Sequence, residues 1–358
     1  ISYLADIYMG RIEAQRNPAR FALYVMFFPQ IVQGPIPRYD RLSGQLYGGH
    51  PFCEKTVVGG FYRILWGFFL KLMIADRAAV VVDEIFGLPY QYVGCYIFVA
   101  GVLYSIQLYA DFAACISISK GVANLFGIEL ADNFHHPYLA VSVKDFWHRW
   151  HMSLSEWLKD YVYIPLGGSR KGRGRTFINL ILTFAVSGIW HGAGQRFVVW
   201  GLLHAVYQIA GQLTQGIQRK AAKVLKLEEA VEARIWIQRI WTFLCVMTAW
   251  IIFRSENLRT GLQMIGSMFC VHNVWIFTND ALLSLGLDWK EWVVLLSSIL
   301  LLFIVSLKQE KGFAFSEAIF RQPLYIRWAL YLVVIFGIMT YGAYGMGYDS
   351  QAFIYGGF

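Results

Sequence analysis

Charge is what this sequence has least of. Asp, Glu, Lys and Arg together make up 15% of 358 residues, about ten points below the share in an ordinary soluble domain. A chain with so few charges cannot cover a water-facing surface in the usual way, which excludes a conventional soluble globule. Paired cysteines are also missing. The five present, Cys53, Cys95, Cys115, Cys245 and Cys270, are scattered with no C-x-x-C spacing, which speaks against a zinc site and against a disulfide framework. No H-E-x-x-H and no G-x-S-x-G occurs, so neither a zinc protease helix nor a serine nucleophile elbow is written here. There is no internal repeat and no low-complexity tract. A single domain over 1–358 is expected, with a helical linker at 212–234.

What fills the space left by charge is grease. Hydrophobic residues are 57% and aromatic residues 17% of the chain, the composition of a polytopic membrane protein with aromatic rings at both interfaces. The net charge of +8 comes from Lys and Arg in short loops between apolar stretches. It does not build one basic face, and nucleic acid is excluded as a partner. The partner implied at this level is membrane lipid. The chain begins at Ile1 without methionine or a signal-peptide pattern, and SYLADIYMG reads as an interfacial segment already in mid-fold. Transmembrane segments are therefore expected upstream of it.

Apolar runs predict spans at 56–75, 92–112, 176–191, 196–211, 235–253, 289–307 and 326–345, each near the roughly 20 residues that a helix needs to cross hydrocarbon. The pair around residue 191 is short and punctuated by glycine, as in helices that end inside a protein and line a cavity. Residues 21–37 are apolar but broken by Pro29, Gly34, Pro35 and Pro37, which predicts a re-entrant or broken helix. From Ala113 to Leu166 the sequence predicts short helices and loops dipping into the membrane. The loop GGSRKGRGR (167–175) concentrates Arg170, Lys171, Arg173 and Arg175 and is cytoplasmic by the positive-inside rule. A helix starting at Thr176 then carries His191 roughly 22 Å from that side.

Within that apolar stretch stands Trp190-His191. An ionisable ring in hydrocarbon is costly and by default marks a pathway or a substrate site. A second cluster, DFWHRWHMSLSEW (145–157), brings Asp145, Trp147, Arg149, His151 and Ser155 into one short segment. Read as continuous helix, it sets His151 and Ser155 at i and i+4, where both can meet one ligand. With no carboxylate or thiol beside the two histidines, a metal is not called for, and an imidazole acting as general base near neutral pH remains. Such a site suits acyl transfer. Asp145 and Arg149 read best as an ion pair supporting the His151 segment, and Trp190 as a wall beside His191. His204, His135 and His136 read as structural or interfacial. A transporter with a histidine proton relay is the non-enzyme alternative, but paired halves with matching broken helices are not visible.

The strings FFPQIVQGPIPR (27–38), FHHPY (134–138), DFWHRWHMSLSEWLKDYVYIPLGGSRKG (145–172), SGIWHG (187–192) and the terminal FIYGGF together resemble the membrane-bound O-acyltransferase (MBOAT) family. YIPLGGSRKG is similar to its alginate O-acetyltransferase branch, and RWHMSLS is shared with the teichoic acid D-alanyl transferase branch. The resemblance implies an all-α, multi-helix membrane fold with re-entrant or broken helices around a central tunnel. It implies His191 as the catalytic histidine and His151 as a second polar group of the active site. It also implies acetyl-CoA as donor, with no bound cofactor and no metal, and Arg170, Lys171, Arg173 and Arg175 available to its phosphates. The acceptor implied is a polysaccharide, reached directly or through an extracytoplasmic SGNH-type acetyltransferase partner, at a bacterial plasma membrane. D-alanyl transfer from a carrier protein to teichoic acid is the alternative. One departure stands out: DFAACISISKG at 111–121 keeps Asp111 but has Ser117 where the branch has a second acid, so the acceptor or partner need not be that of alginate.

Overall fold

Long apolar runs, closed by glycine or proline at their ends, dictate helices, and the computed structural model contains helices, turns and no strand among its described residues, 1–31 and 34–344. Four helices are long and apolar enough to cross a membrane: Cys95–Leu125, Val231–Arg254, Trp289–Glu310 and Leu324–Tyr341. They match four of the seven expected spans. The other three stretches also fold as helices but fall outside that set: Glu54–Phe69 is only 16 residues long before the π-helical segment, and the other two carry polar side chains turned inward. Residues 56–75 form the helix Glu54–Phe69, which continues as a π-helical segment Leu70–Ala75 around the buried Lys71. Residues 176–191 and 196–211 lie in the helices Gly172–His191 and Gln195–Leu213, which bury Asn179, Thr183, Ser187, His204 and Gln208.

One stretch differs from expectation. The helix starting at Cys95 runs on to Leu125, so 113–125 is the continuation of a long helix rather than the start of the loop-rich region. Nothing in ACISISKGVANL breaks a helix until Gly127, which takes a positive φ of 74° that glycine adopts without strain. The expected broken segment is present as two short helices, Pro18–Val25 and Phe28–Ile31. Its Val32 and Gln33, and the terminal FIYGGF, lie outside the described residues.

The chain divides into two units. The first comprises Ile1–Asp76, Leu108–Asn133 and Val294–Gly357, so far as these are described. In it, Asn17 caps the helix Pro18–Val25 by accepting from the backbone amides of Ala19 and Arg20, with Pro18 at the first helical position where its missing N–H is harmless. That helix packs on Tyr39–Tyr47 through the rings of Tyr3, Phe21, Tyr24 and Tyr39. Lys71 Nζ lies 2.7 Å from a carboxylate oxygen of both Asp76 and Asp111.

The second unit comprises Arg77–Gln107 and Phe134–Val293 among its described parts. Its centre is a hairpin of Gly172–His191 and Gln195–Leu213, packed on Val231–Arg254 and on the short helix Val143–Arg149. The two hairpin helices approach so closely that a Cβ on Gly188 would sit 2.4 Å from the Phe197 carbonyl oxygen, and one on Gly201 would sit 2.1 Å from that of Phe184. Only glycine allows that approach, the device by which helices in an apolar solvent pack backbone to backbone.

Candidate active site

Each histidine is placed by a different local device. His191 is the last residue of Gly172–His191 and is followed at once by Gly192, which ends the helix at a φ of 152°. The hairpin turn is tied down by Arg196, which donates to the carbonyls of Ser255, in a short contact, and Glu256, at 2.9 Å, beyond the end of Val231–Arg254. His151 sits between two short helices, Val143–Arg149 and Met152–Leu158, in left-handed backbone (φ 44°, ψ 54°). A non-glycine residue held there is strained, and such strain gathers at functional sites. His136 has the same conformation.

The left-handed turn at His151 breaks the continuous helix that the sequence implied. Ser155 consequently does not share a helical face with His151 in one unbroken helix. Its amide donates to the His151 carbonyl at 3.0 Å, and its hydroxyl donates to the carbonyl of Trp150 at 3.3 Å. Asp145 is a capping residue: Ser142 accepts from its amide, and its carboxylate accepts from Val141 N at 3.0 Å and Arg149 Nε at 2.9 Å. This closes the first turn in the manner of a capping box.

His151 and His191 lie close enough to one another to interact electrostatically. The His191 ring lies edge-on to Trp200 at 5.1 Å and to Phe253 at 5.3 Å. Trp200, 1% exposed, stacks on Trp250 at 5.4 Å and touches Trp147 at 5.9 Å. Trp150 stacks on Phe146 at 5.5 Å and meets Trp250 at 5.2 Å. Four tryptophans thus pack as one buried cluster, and one of them, Trp200, lies against the His191 ring. Burial of these rings stabilises the site, since each aromatic side chain buries on the order of 150–250 Å².

Trp190 is elsewhere. It is 54% exposed and packs on Trp157 at 5.8 Å, because consecutive residues on a helix point about 100° apart. Arg170, Lys171, Arg173 and Arg175 are exposed at the opposite end of the helix that carries His191, about 28 Å away at 1.5 Å per residue. Arg175 donates to the Leu166 carbonyl at 3.4 Å and Asn179 to that of Gly168 at 2.8 Å, fixing the loop.

The residue that sequence reasoning set aside is His204. Fully buried, it lies one helix away from His191, with the Trp200 ring 5.1 Å from each imidazole. Neither of its ring nitrogens has a hydrogen-bond partner. Its signal in the sequence was a lone histidine in an apolar helix, which is indistinguishable from a packed one until the partners are known. Among the described residues no group of histidine, cysteine and carboxylate side chains is arranged to hold a metal.

The sequence profile of MBOAT, membrane-bound O-acyltransferase family, matches residues 14–253, a range that contains both imidazoles and all four tryptophan walls. Probable alginate O-acetylase AlgI of Pseudomonas putida is 37% identical over 264 residues, covering 74% of this chain and 52% of that protein. Peptidoglycan O-acetyltransferase of Helicobacter pylori is 34% identical over 250 residues, 68% of this chain and 45% of that one. Teichoic acid D-alanyltransferase of Bacillus subtilis is 31% identical over 219 residues, 55% and 52% respectively. The chain spans about half the length of these curated relatives. With its profile match over well more than half its length and its apolar helices, this chain belongs to the membrane-bound O-acyltransferase family.

Proposed function

We propose that this protein is a multi-pass plasma-membrane acyltransferase that moves a small acyl group from a cytoplasmic thioester toward the hydroxyl of a cell-surface or exported polysaccharide, with His191 as general base. The observation that carries the reading is the pair His151 and His191 beside the buried tryptophan wall, inside the range matched by the family profile. Acetyl is the favoured acyl group and acetyl-CoA the favoured donor, since the relatives of higher identity are named O-acetylase and O-acetyltransferase.

The chemistry follows from two imidazoles within electrostatic reach of one another. His191 takes the proton of an acceptor hydroxyl as its oxygen attacks the thioester carbonyl. The carbonyl π electrons move onto oxygen, and His151, a neutral N–H donor, holds the oxyanion that forms. Collapse of that intermediate reforms the carbonyl, expels the thiolate and returns the proton from His191 to sulfur. In this step His191 carries the proton and His151 stays neutral as the hydrogen-bond donor. The exposed cations at 170–175 would attract the donor's phosphates, and a long, extended donor arm would then have to reach along the helix to His191. The acceptor is reached directly or through an extracytoplasmic SGNH-type acetyltransferase.

A second reading, D-alanyl transfer from a carrier protein to teichoic acid, is favoured by the Bacillus subtilis relative. Membranes containing the protein, supplied either with labelled acetyl-CoA or with a D-alanyl-charged carrier protein, separate the two. Label from acetyl-CoA in surface polysaccharide, and its loss from cells lacking the gene, is the expected result. Label only from the charged carrier supports the second reading, and label from neither contradicts acyl transfer.

A further inference from the structure

Buried polar side-chain atoms are almost always hydrogen-bonded, and clusters of exceptions call for an explanation. Here Trp147 Nε1, Ser187 Oγ, Trp200 Nε1, Trp250 Nε1 and both ring nitrogens of His204 are buried without a partner. They are not scattered. The His204 ring contacts those of Trp147 at 5.1 Å, Trp200 at 5.1 Å and Trp250 at 6.1 Å. Trp200 in turn contacts His191 at 5.1 Å. Ser187 precedes His191 by one helical turn and lies on the same helical face.

Phenylalanine in place of an indole or of this imidazole would fill similar space and leave no orphaned nitrogen, so on packing grounds alone the choice is unfavourable. Places where a sequence breaks a local rule without local gain are where function is expected. The chemistry of the set is specific. Three indole N–H groups can only donate, serine and imidazole can donate, and no charged side chain is among them. Apolar ring walls with neutral donors match a carbonyl oxygen carrying a short apolar group. They do not match a phosphate or carboxylate, which would be desolvated there without a counter-charge.

We propose that the box formed by Trp147, Trp200, Trp250, His204 and Ser187 is the binding site of the acyl group in transit, its neutral donors holding the carbonyl oxygen and its rings enclosing a short alkyl chain. This inference rests on the acyl-transfer reading above and adds to it a site that sets acyl length. His204 is then a binding residue in its own right, beside the reacting pair.

The test is an acyl-length profile in membranes containing the full chain, using labelled acetyl-, propionyl- and butyryl-CoA, with thermal unfolding measured on the same variants. Trp250→Phe and His204→Phe keep a ring but remove the donors. Each is expected to lower acetyl transfer about tenfold, the worth of one hydrogen bond of about 1.4 kcal/mol, with the unfolding midpoint of His204→Phe equal to or above that of the wild type. His204→Ala opens room and is expected to raise the butyryl-to-acetyl ratio about tenfold. Ser187→Ala, the mildest change, serves should the ring variants fail to fold, and is expected to lower acetyl transfer without altering the midpoint. Variants that fold and transfer acetyl at the wild-type rate with an unchanged length ratio overturn the inference. A wild-type protein that transfers no acyl group from any thioester, carrier-bound donors included, contradicts the acyl-transfer reading itself and this site with it.

Discussion

In the first unit Lys71 is 4% exposed and holds two carboxylates at 2.7 Å each, whereas in the second His204 is 0% exposed and its two ring nitrogens hold none. Both are ionisable groups sunk in apolar surroundings, and both are costly to bury. Lys71 is compensated within the fold, by charges contributed from Asp76 at the end of its own π-helical segment and from Asp111 on another helix. His204 is surrounded by rings and uncompensated. A paired buried charge ties elements together. An unpaired buried polar group, placed one indole from a candidate catalytic base, is ready for something outside the chain.

Four substitutions sharpen or break that contrast. Lys71→Met leaves the buried Asp111 and the half-buried Asp76 without their shared cation, and a loss of about 3–5 kcal/mol in stability is expected, read as a large drop in the unfolding midpoint of the purified protein. An unchanged midpoint would mean that the triad is not a structural tie. Gly201→Ala forces a Cβ to within 2.1 Å of a backbone carbonyl in the hairpin, with an expected loss of about 1–3 kcal/mol and an accompanying fall in activity as His191 and Trp200 are displaced. Asp145→Ala removes the acceptor of Val141 N and Arg149 Nε in a part-exposed position, for about 1 kcal/mol. Activity should follow stability there. Ser155→Ala removes one long hydrogen bond to Trp150 and should cost about 0.5 kcal/mol with acyl transfer nearly intact. Loss of activity at unchanged stability would put Ser155 back beside His151 in the chemistry.

The fold was legible where a local rule decides it. Apolar length and glycine or proline punctuation placed the helices, including the short hairpin pair and the break between 18 and 31, because each depends on nearby residues alone. The long helix through 113–125 is not legible in sequence, because moderate apolarity and Lys120 look like a loop-rich edge. Lys120 is in fact buried and paired with Asp132, a contact that no window of sequence shows.

The site was legible in part. His191 and His151 stand out as ionisable residues in apolar or aromatic strings, but the left-handed turn at His151 does not, since histidine, though enriched in such backbone, adopts it at only a small share of its positions. That turn takes His151 out of the continuous helix from which its spacing to Ser155 was argued. Trp190 and His191 look like a unit in sequence, yet adjacent helical residues face different ways, and it is Trp200, on the returning helix, that packs against the imidazole. His204 and the indoles around it depend entirely on tertiary contacts, which is why their unpaired nitrogens appear only in three dimensions.

The most direct test replaces His191 with Gln, which keeps the side chain polar and of similar size while removing the base. Transfer of labelled acetyl from acetyl-CoA into polysaccharide by membranes carrying this variant should fall by about 10²–10⁴-fold, the usual worth of a general base, while the protein remains in the membrane with the unfolding midpoint of the wild type. Transfer at the wild-type rate by a folded His191→Gln protein would contradict the account at its centre.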